Sequence, residues 1–284
     1  MIRIGSFIQK NWDWRAASNF MFGGTGSGLL LLLVIATYPK APPLPVELVA
    51  LAFVASGLSL VWLEIGRPWR AINVFFHPET SWMTREAFVA GATFVLALAG
   101  IVLQMPVLVA ASAVGAAGFL YCQGRILKAS KGIPAWREPA VVPLIIATGL
   151  TEGAAGLLLL MALVGGATPA WLEYVLLGML AVRVITWSRY RAALVASNAP
   201  PAALAALEKI SGVTLWLGNV LPAALIALPF VMPNLGSQVA LVGGLLALLS
   251  GWYMKFTIVT KAAQVQGYSF GKLTKGHPLA NKAR

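Results

Sequence analysis

The chain has 284 residues, 59% hydrophobic and only 11% charged, with a mean hydropathy of +0.81 and a formal net charge of +12. So apolar a composition over this length excludes an ordinary soluble domain and reads as a polytopic membrane protein. The basic excess does not call for nucleic acid, because Lys and Arg flank apolar segments and form no soluble patch. A lone cysteine, Cys122, excludes both an intramolecular disulfide and a self-held iron–sulfur cluster, which needs four thiolates.

A bilayer core takes about 20 apolar residues of helix. Such runs fall near 17–38, 46–63, 87–105, 107–127, 140–164, 170–188, 212–231 and 237–258. They predict an all-α bundle of eight transmembrane helices, a single membrane domain over 1–284 with a basic cytoplasmic tail from 259 to 284. The run from Ala87 to Leu127 is too long for one span and divides at "QMP", while Pro106, Pro169 and Pro233 punctuate the turns. The first run is read as a span, because its polar leader and apolar core are both too long for a signal peptide.

Counted on alternate sides, Lys and Arg gather at the N-terminus, in the loops 64–86, 128–139 and 189–211, and in the tail, whereas the opposite side carries only Lys40. The positive-inside rule then predicts that both termini and these loops are cytoplasmic. Chemistry is expected on that inner face.

The loop "LEIGRPWRAINVFFHPETSWMTRE", residues 63–86, holds Glu64, Glu79, Glu86, Arg67, Arg70, Arg85 and His77 between two apolar runs. Glu64 and Glu86 fall at the membrane boundary, where partial desolvation suits a carboxyl group to proton exchange. The arginines offer forked donors to a carboxylate, a phosphate or a polarised carbonyl. Trp69 and Trp82 read as interfacial anchors, and His77 as a proton carrier or a solvated turn. Arginines answering lipid phosphates, with glutamates answering the arginines, would account for the same composition.

Outside the loop, Asn19 sits at the same inner depth in span one, and Tyr121 and Gln123 lie near the inner end of span four. Donors, a proton carrier and lipid access together suit a quinone headgroup. "FGGTGSG" lacks the preceding strand and spacing of a phosphate loop, so Gly24 and Gly28 are read as a small-residue pair for close helix approach. Glu152 and Arg183 are deep charges that either pair with each other or separate, Arg183 snorkelling inward and Glu152 serving a proton path. No paired histidines lie within the spans, so a b-type haem is not expected. No metal-ligand cluster or nucleophilic triad is evident.

The segment "GRPWRAINVFFHPETSWMTRE" resembles the loop between spans two and three of the dimethyl sulfoxide reductase and polysulfide reductase membrane-anchor superfamily. The shared pattern is Gly-Arg-Pro followed by Ser-Trp-x-[Ser/Thr]-Arg-Glu; the glycine-rich first span and the eight helices also fit. The resemblance implies a haem-free subunit in a bacterial plasma membrane with no iron–sulfur cluster of its own. It would exchange electrons between a ferredoxin-like iron–sulfur subunit, beside a molybdenum- or tungsten-pterin catalytic subunit, and menaquinone or ubiquinone. It implies Glu86 in quinol handling with Arg67 and Arg85 around it, and more loosely Asn19 and Tyr121 as quinone contacts. Glu64 departs from the histidine often found there in the sulfoxide branch. "NWDWRAASNFMFGGTGSG" and "KFTIVTKAAQVQGYSFGKL" look most like anchors of phenylacetyl-CoA:acceptor oxidoreductases, which implies electrons running into quinone.

The expected site thus comprises Glu86, Glu64 and His77 for protons, and Asn19, Arg67, Trp82, Arg85 and Tyr121 for quinone, with no metal. The rivals are a solute transporter using Glu152 and Arg183, and a passive anchor without quinone chemistry.

Overall fold

The computed structural model describes residues 2–65, 68–165, 170–232, 238–266 and 268–270. Among them are eight helices long and apolar enough to cross a membrane, and the protein is an all-α polytopic bundle. The spans are α1 (Trp14–Thr37), α2 (Leu44–Glu64), α3 (Trp82–Leu103), α4 (Pro106–Lys128), α5 (Val141–Leu163), α6 (Ala170–Ala196), α7 (Pro201–Val231) and α8 (Gln238–Lys261).

Local chemistry sets their ends. Asp13 caps α1, its carboxylate accepting from the Arg15 amide at 2.8 Å, and Ser81 caps α3 by accepting from the Thr84 amide at 3.3 Å. Hydrogen bonding to the Arg15 side chain holds the Asp13 carboxyl below the usual aspartate range. The division at "QMP" is made by Gln104, in the left-handed region at φ 55°, with the Met105 amide bonded back to Gly100 and Pro106 opening α4.

Two helices run past the apolar limits read from sequence. α6 continues to Ala196 and α7 begins at Pro201, so most of the expected 189–211 loop is helical. The extension is held by an ion pair between Arg191 and Glu208, by Arg191 on Ser211 at 2.5 Å, and by the Tyr190 hydroxyl on the Ala135 carbonyl at 2.8 Å. Hydropathy marks the hydrocarbon core and is blind to helical turns beyond it.

Spans α1 and α5 are the most buried, and α3, α6 and α7 the least. Close approach of α1 to α5 rests on Gly28, where a Cβ would strike the Gly149 backbone, and on Gly153, where it would strike that of Gly28. The half of the bundle that the basic-residue count assigns to the outer side is filled by an apolar cluster including Leu29, Leu33, Leu157, Leu158, Leu172 and Leu176. A second cluster, including Phe20, Leu127, Trp136, Trp187 and Ile258, fills the inner half.

The residues before α1 meet those after α8 at the end of the bundle expected to face inward. Strand β1 (Ile2–Ile4) pairs antiparallel with β4 (Tyr268–Phe270), and β2 (Phe7–Ile8) with β3 (Gln264–Val265). Thus the first part of the expected tail belongs to the closure of the bundle.

Candidate functional site

Between the inner ends of α2 and α3 lies the 3₁₀ segment Pro68–Phe75. These three elements enclose a groove of about 510 Å³, walled by Leu58, Trp62, Trp69, Ile72, Phe75 and Met83 among others. Glu86 is the one ionisable residue among the described residues lining it. Trp69 and Ile72 are strongly exposed along the groove, as suits a cleft bordered by lipid.

Glu86 is itself buried. The Asn19 Nδ2 amide donates to its Oε1 at 3.3 Å, and Glu64, Asn19 and Glu86 share a small cavity of about 30 Å³ with Trp12, Phe20 and Ile126. Glu64 is fixed there by accepting the Asp13 backbone N–H at 3.0 Å. On the inner face opens a third cavity, of about 470 Å³, lined by Gln9, Trp12, Trp82, Trp136 and Val265 among others. Met83 lines all three, so the three cavities adjoin around one side chain.

Asn19 owes its position to a π-helical stretch, Asn19–Gly23. π turns interrupt the regular ladder and often mark functional sites. Side chains take up the carbonyls here: Gln123 Nε2 donates to the Asn19 oxygen at 2.7 Å and Lys255 Nζ to that of Phe20 at 2.8 Å.

A second cluster forms on another face of α3 and α4. The Trp82 ring lies between the guanidinium groups of Arg85 and Arg125, at 4.3 and 4.2 Å, and edge-on to Tyr121 at 5.6 Å. Arg125 donates to the Tyr121 hydroxyl, while Arg85 clasps the loop through the carbonyls of Pro78 and Glu79, at 2.8 and 2.7 Å.

The structure therefore brings Asn19, Glu64 and Glu86 together. Trp82, Arg85 and Tyr121 gather separately, lining neither the groove nor the small cavity. His77 is exposed in the loop, its carbonyl accepting from the Ser81 amide, and Arg67 lies outside the described residues. Tyr121 and Gln123 are two positions apart and so face nearly opposite ways on a helix. Gln123 is the one that reaches Asn19.

Deeper, Glu152 is bonded by Lys255, with Nζ 2.7 Å from Oε2 and both side chains fully buried. Arg183 neither pairs with a carboxylate directly nor snorkels out. It is fully buried and donates to Asn219 Oδ1 at 2.9 Å, the Ala247 carbonyl at 2.8 Å and the Gly218 carbonyl. Gly218 and Asn219 belong to a second π-helical stretch, Val213–Val220. Lys255 and Arg125 escaped the sequence reading. The available signal for Lys255 was a cation within the apolar run "GWYMKFTIV".

Among the described residues, no group of three or more His, Cys, Asp or Glu is placed to hold a metal ion. Compared with known proteins, the chain matches no family model and no curated relative.

Proposed function

We propose that the chain is a quinone-reactive membrane subunit, exchanging electrons between an iron–sulfur partner and the membrane quinone pool and passing protons through Glu86. The observation that carries this reading is the apolar, aromatic-walled groove with one buried carboxylate at its inner wall. Its volume of about 510 Å³ is in the range of small-molecule sites, which pair apolar walls with few polar groups. A quinone supplies two-electron, two-proton chemistry to such a site.

The chain's own contribution is positioning and proton handling. Trp62, Trp69, Ile72 and Phe75 wall the groove, and Glu86 can donate or accept a proton at its end. Asn19 holds the Glu86 carboxyl in place, and Glu64, on the same small cavity as Glu86, serves as a second proton carrier. The Trp82, Arg85, Arg125 and Tyr121 cluster stiffens the same boundary and presents basic charge to a partner.

The basic residues gathered at one end of the bundle support, by the positive-inside rule, a cytoplasmic assignment of both termini and docking of the iron–sulfur and pterin-containing subunits on that side. The resemblance of the 63–86 loop to quinone-linked anchors supports the same assignment, and the likeness of "NWDWRAASNFMFGGTGSG" and "KFTIVTKAAQVQGYSFGKL" to phenylacetyl-CoA:acceptor oxidoreductase anchors favours electrons running into quinone.

The test is Glu86→Gln in the intact complex. Quinone-dependent turnover is expected to fall by about 10²-fold or more, as for loss of a general acid or base, with assembly retained. Unchanged turnover would remove Glu86 from the mechanism. Recovery of the chain from native membranes without an iron-containing partner would favour the transporter.

A further inference from the structure

Beyond Glu86, polar groups continue into the bundle where apolar packing is expected. Asn19 bonds Glu86, and Gln123 bonds the Asn19 carbonyl. The Gln123 amide and Lys255 Nζ converge on Gly24, whose missing side chain leaves room for both. Lys255 then bonds Glu152 at 2.7 Å, with Thr25 Oγ1 2.9 Å from the same oxygen. Asn19, Gln123, Lys255 and Glu152 are each at most 4% exposed, and Asn19 Oδ1, Gln123 Oε1 and Glu152 Oε1 have no hydrogen-bond partner among the described residues.

Buried acceptors without donors are rare and costly. Three along one line point to a path whose donors are exchangeable, namely water or a proton in transit. On the outer side of Thr25 and Glu152 the line gives way to Leu29, Leu33, Leu157 and Leu158. Charge supplies the motive. Ionised together, Glu152, Lys255 and Arg183 carry one net positive charge, and Arg183 does not release its proton.

We propose that Lys255 is a proton reserve for Glu86, connected to it through Gln123 and Asn19 and open only toward the inner face. In the transfer, the Lys255 ammonium loses one proton and becomes an amine, and the Glu86 carboxylate gains it and becomes a carboxylic acid. Glu152 is then balanced by Arg183. Reloading takes one proton from the inner face along the same line. The path serves Glu86 whatever Glu86 protonates, so it stands independently of the quinone assignment.

The experiment is hydrogen–deuterium exchange at Lys255 Nζ in the full chain, ¹⁵N-lysine labelled, in mild detergent, with the signal assigned by its loss in Lys255→Met. Gln123→Leu is expected to slow exchange by about tenfold or more, as is Glu86→Gln, with backbone amide exchange in α5 unchanged as the control for folding. Glu47→Gln, at a buried carboxylate near the outer end of α2, is expected to leave the rate as it was. Wild-type exchange in Gln123→Leu would overturn the path, and slowing by Glu47→Gln would overturn its one-sidedness. Should Gln123→Leu not fold, Asn19→Val breaks the same line at its neighbour and is read by the same criteria.

Discussion

Replacing Lys255 by Met tests the energetics of the bundle's interior most directly. Nζ bonds Glu152 Oε2 at 2.7 Å and the Phe20 carbonyl at 2.8 Å, and neither charged side chain has any exposure. Methionine fills a similar volume, so little of the effect comes from packing. What remains is a buried carboxylate with Thr25 as its direct hydrogen-bond donor and Arg183 as a counter-charge it does not touch, and a carbonyl at the π turn without its donor. Breaking a buried pair by removing one partner costs about 3–5 kcal/mol. Uptake of a proton by Glu152 sets the ceiling, since a stranded buried charge neutralises in preference to staying ionised. The assay is reversible unfolding in mixed detergent micelles, followed by the fluorescence of the ten tryptophans. The cycle is completed by Glu152→Gln and by the double variant. Removing both charges is expected to recover most of the loss, because the uncompensated charge disappears with its partner. A loss below about 1 kcal/mol for Lys255→Met, the value of a surface pair, would refute the reasoning. So would a double variant less stable than either single one.

Gly28→Leu is expected to prevent α1 from seating against α5, because a Cβ at Gly28 already meets the Gly149 backbone; the protein should fail to accumulate as a monodisperse species on size exclusion in detergent. Leu at Gly178, where a Cβ meets nothing, is the matched control and should be tolerated. The Asp13 carboxyl is held below its usual range by Arg15. Its stabilisation of the α1 cap is therefore present above the ordinary aspartate pKa of about 3.9 and is lost as pH falls through the lowered folded value. Amide exchange at Arg15 to Ala17, rising only under acid conditions and already raised at neutral pH in Asp13→Ala, checks that sign.

The number and order of spans were legible because each crossing needs a long apolar run, and even the turn at Gln104 announced itself through the following proline. The ends of α6 and α7 were not, since Arg189, Arg191, Glu208 and Lys209 read as loop charges and only pairing across the two helices shows them to be helical. Asn19 and Glu86 shared a predicted depth, and depth along a helix is readable from a boundary. Direction around a helix decided the rest. Gln123 and Tyr121 share a depth but not a face, so the amide enters the bundle and the phenol joins Arg125. Partners among deep charges were least readable. Glu152 lies 103 residues from Lys255, and nothing local distinguishes that lysine from one that snorkels.

The pairing of the two chain ends bears on how the membrane inserts this protein. Strands β1 and β2 find their partners in β4 and β3, the Gln9 amide bonds the Ala263 carbonyl, and the Phe20 carbonyl waits for Lys255. The partner in each case, namely β4, β3, the Ala263 carbonyl and Lys255, is synthesised only after the first seven spans. Until α8 enters the bilayer, the inner cavity lacks its Val265 wall and the π turn beside Glu86 lacks a ligand for its second carbonyl. The end of the bundle that holds Glu86 is therefore finished by its last span, and a chain stalled before α8 carries the Glu86 carboxylate without its completed surroundings.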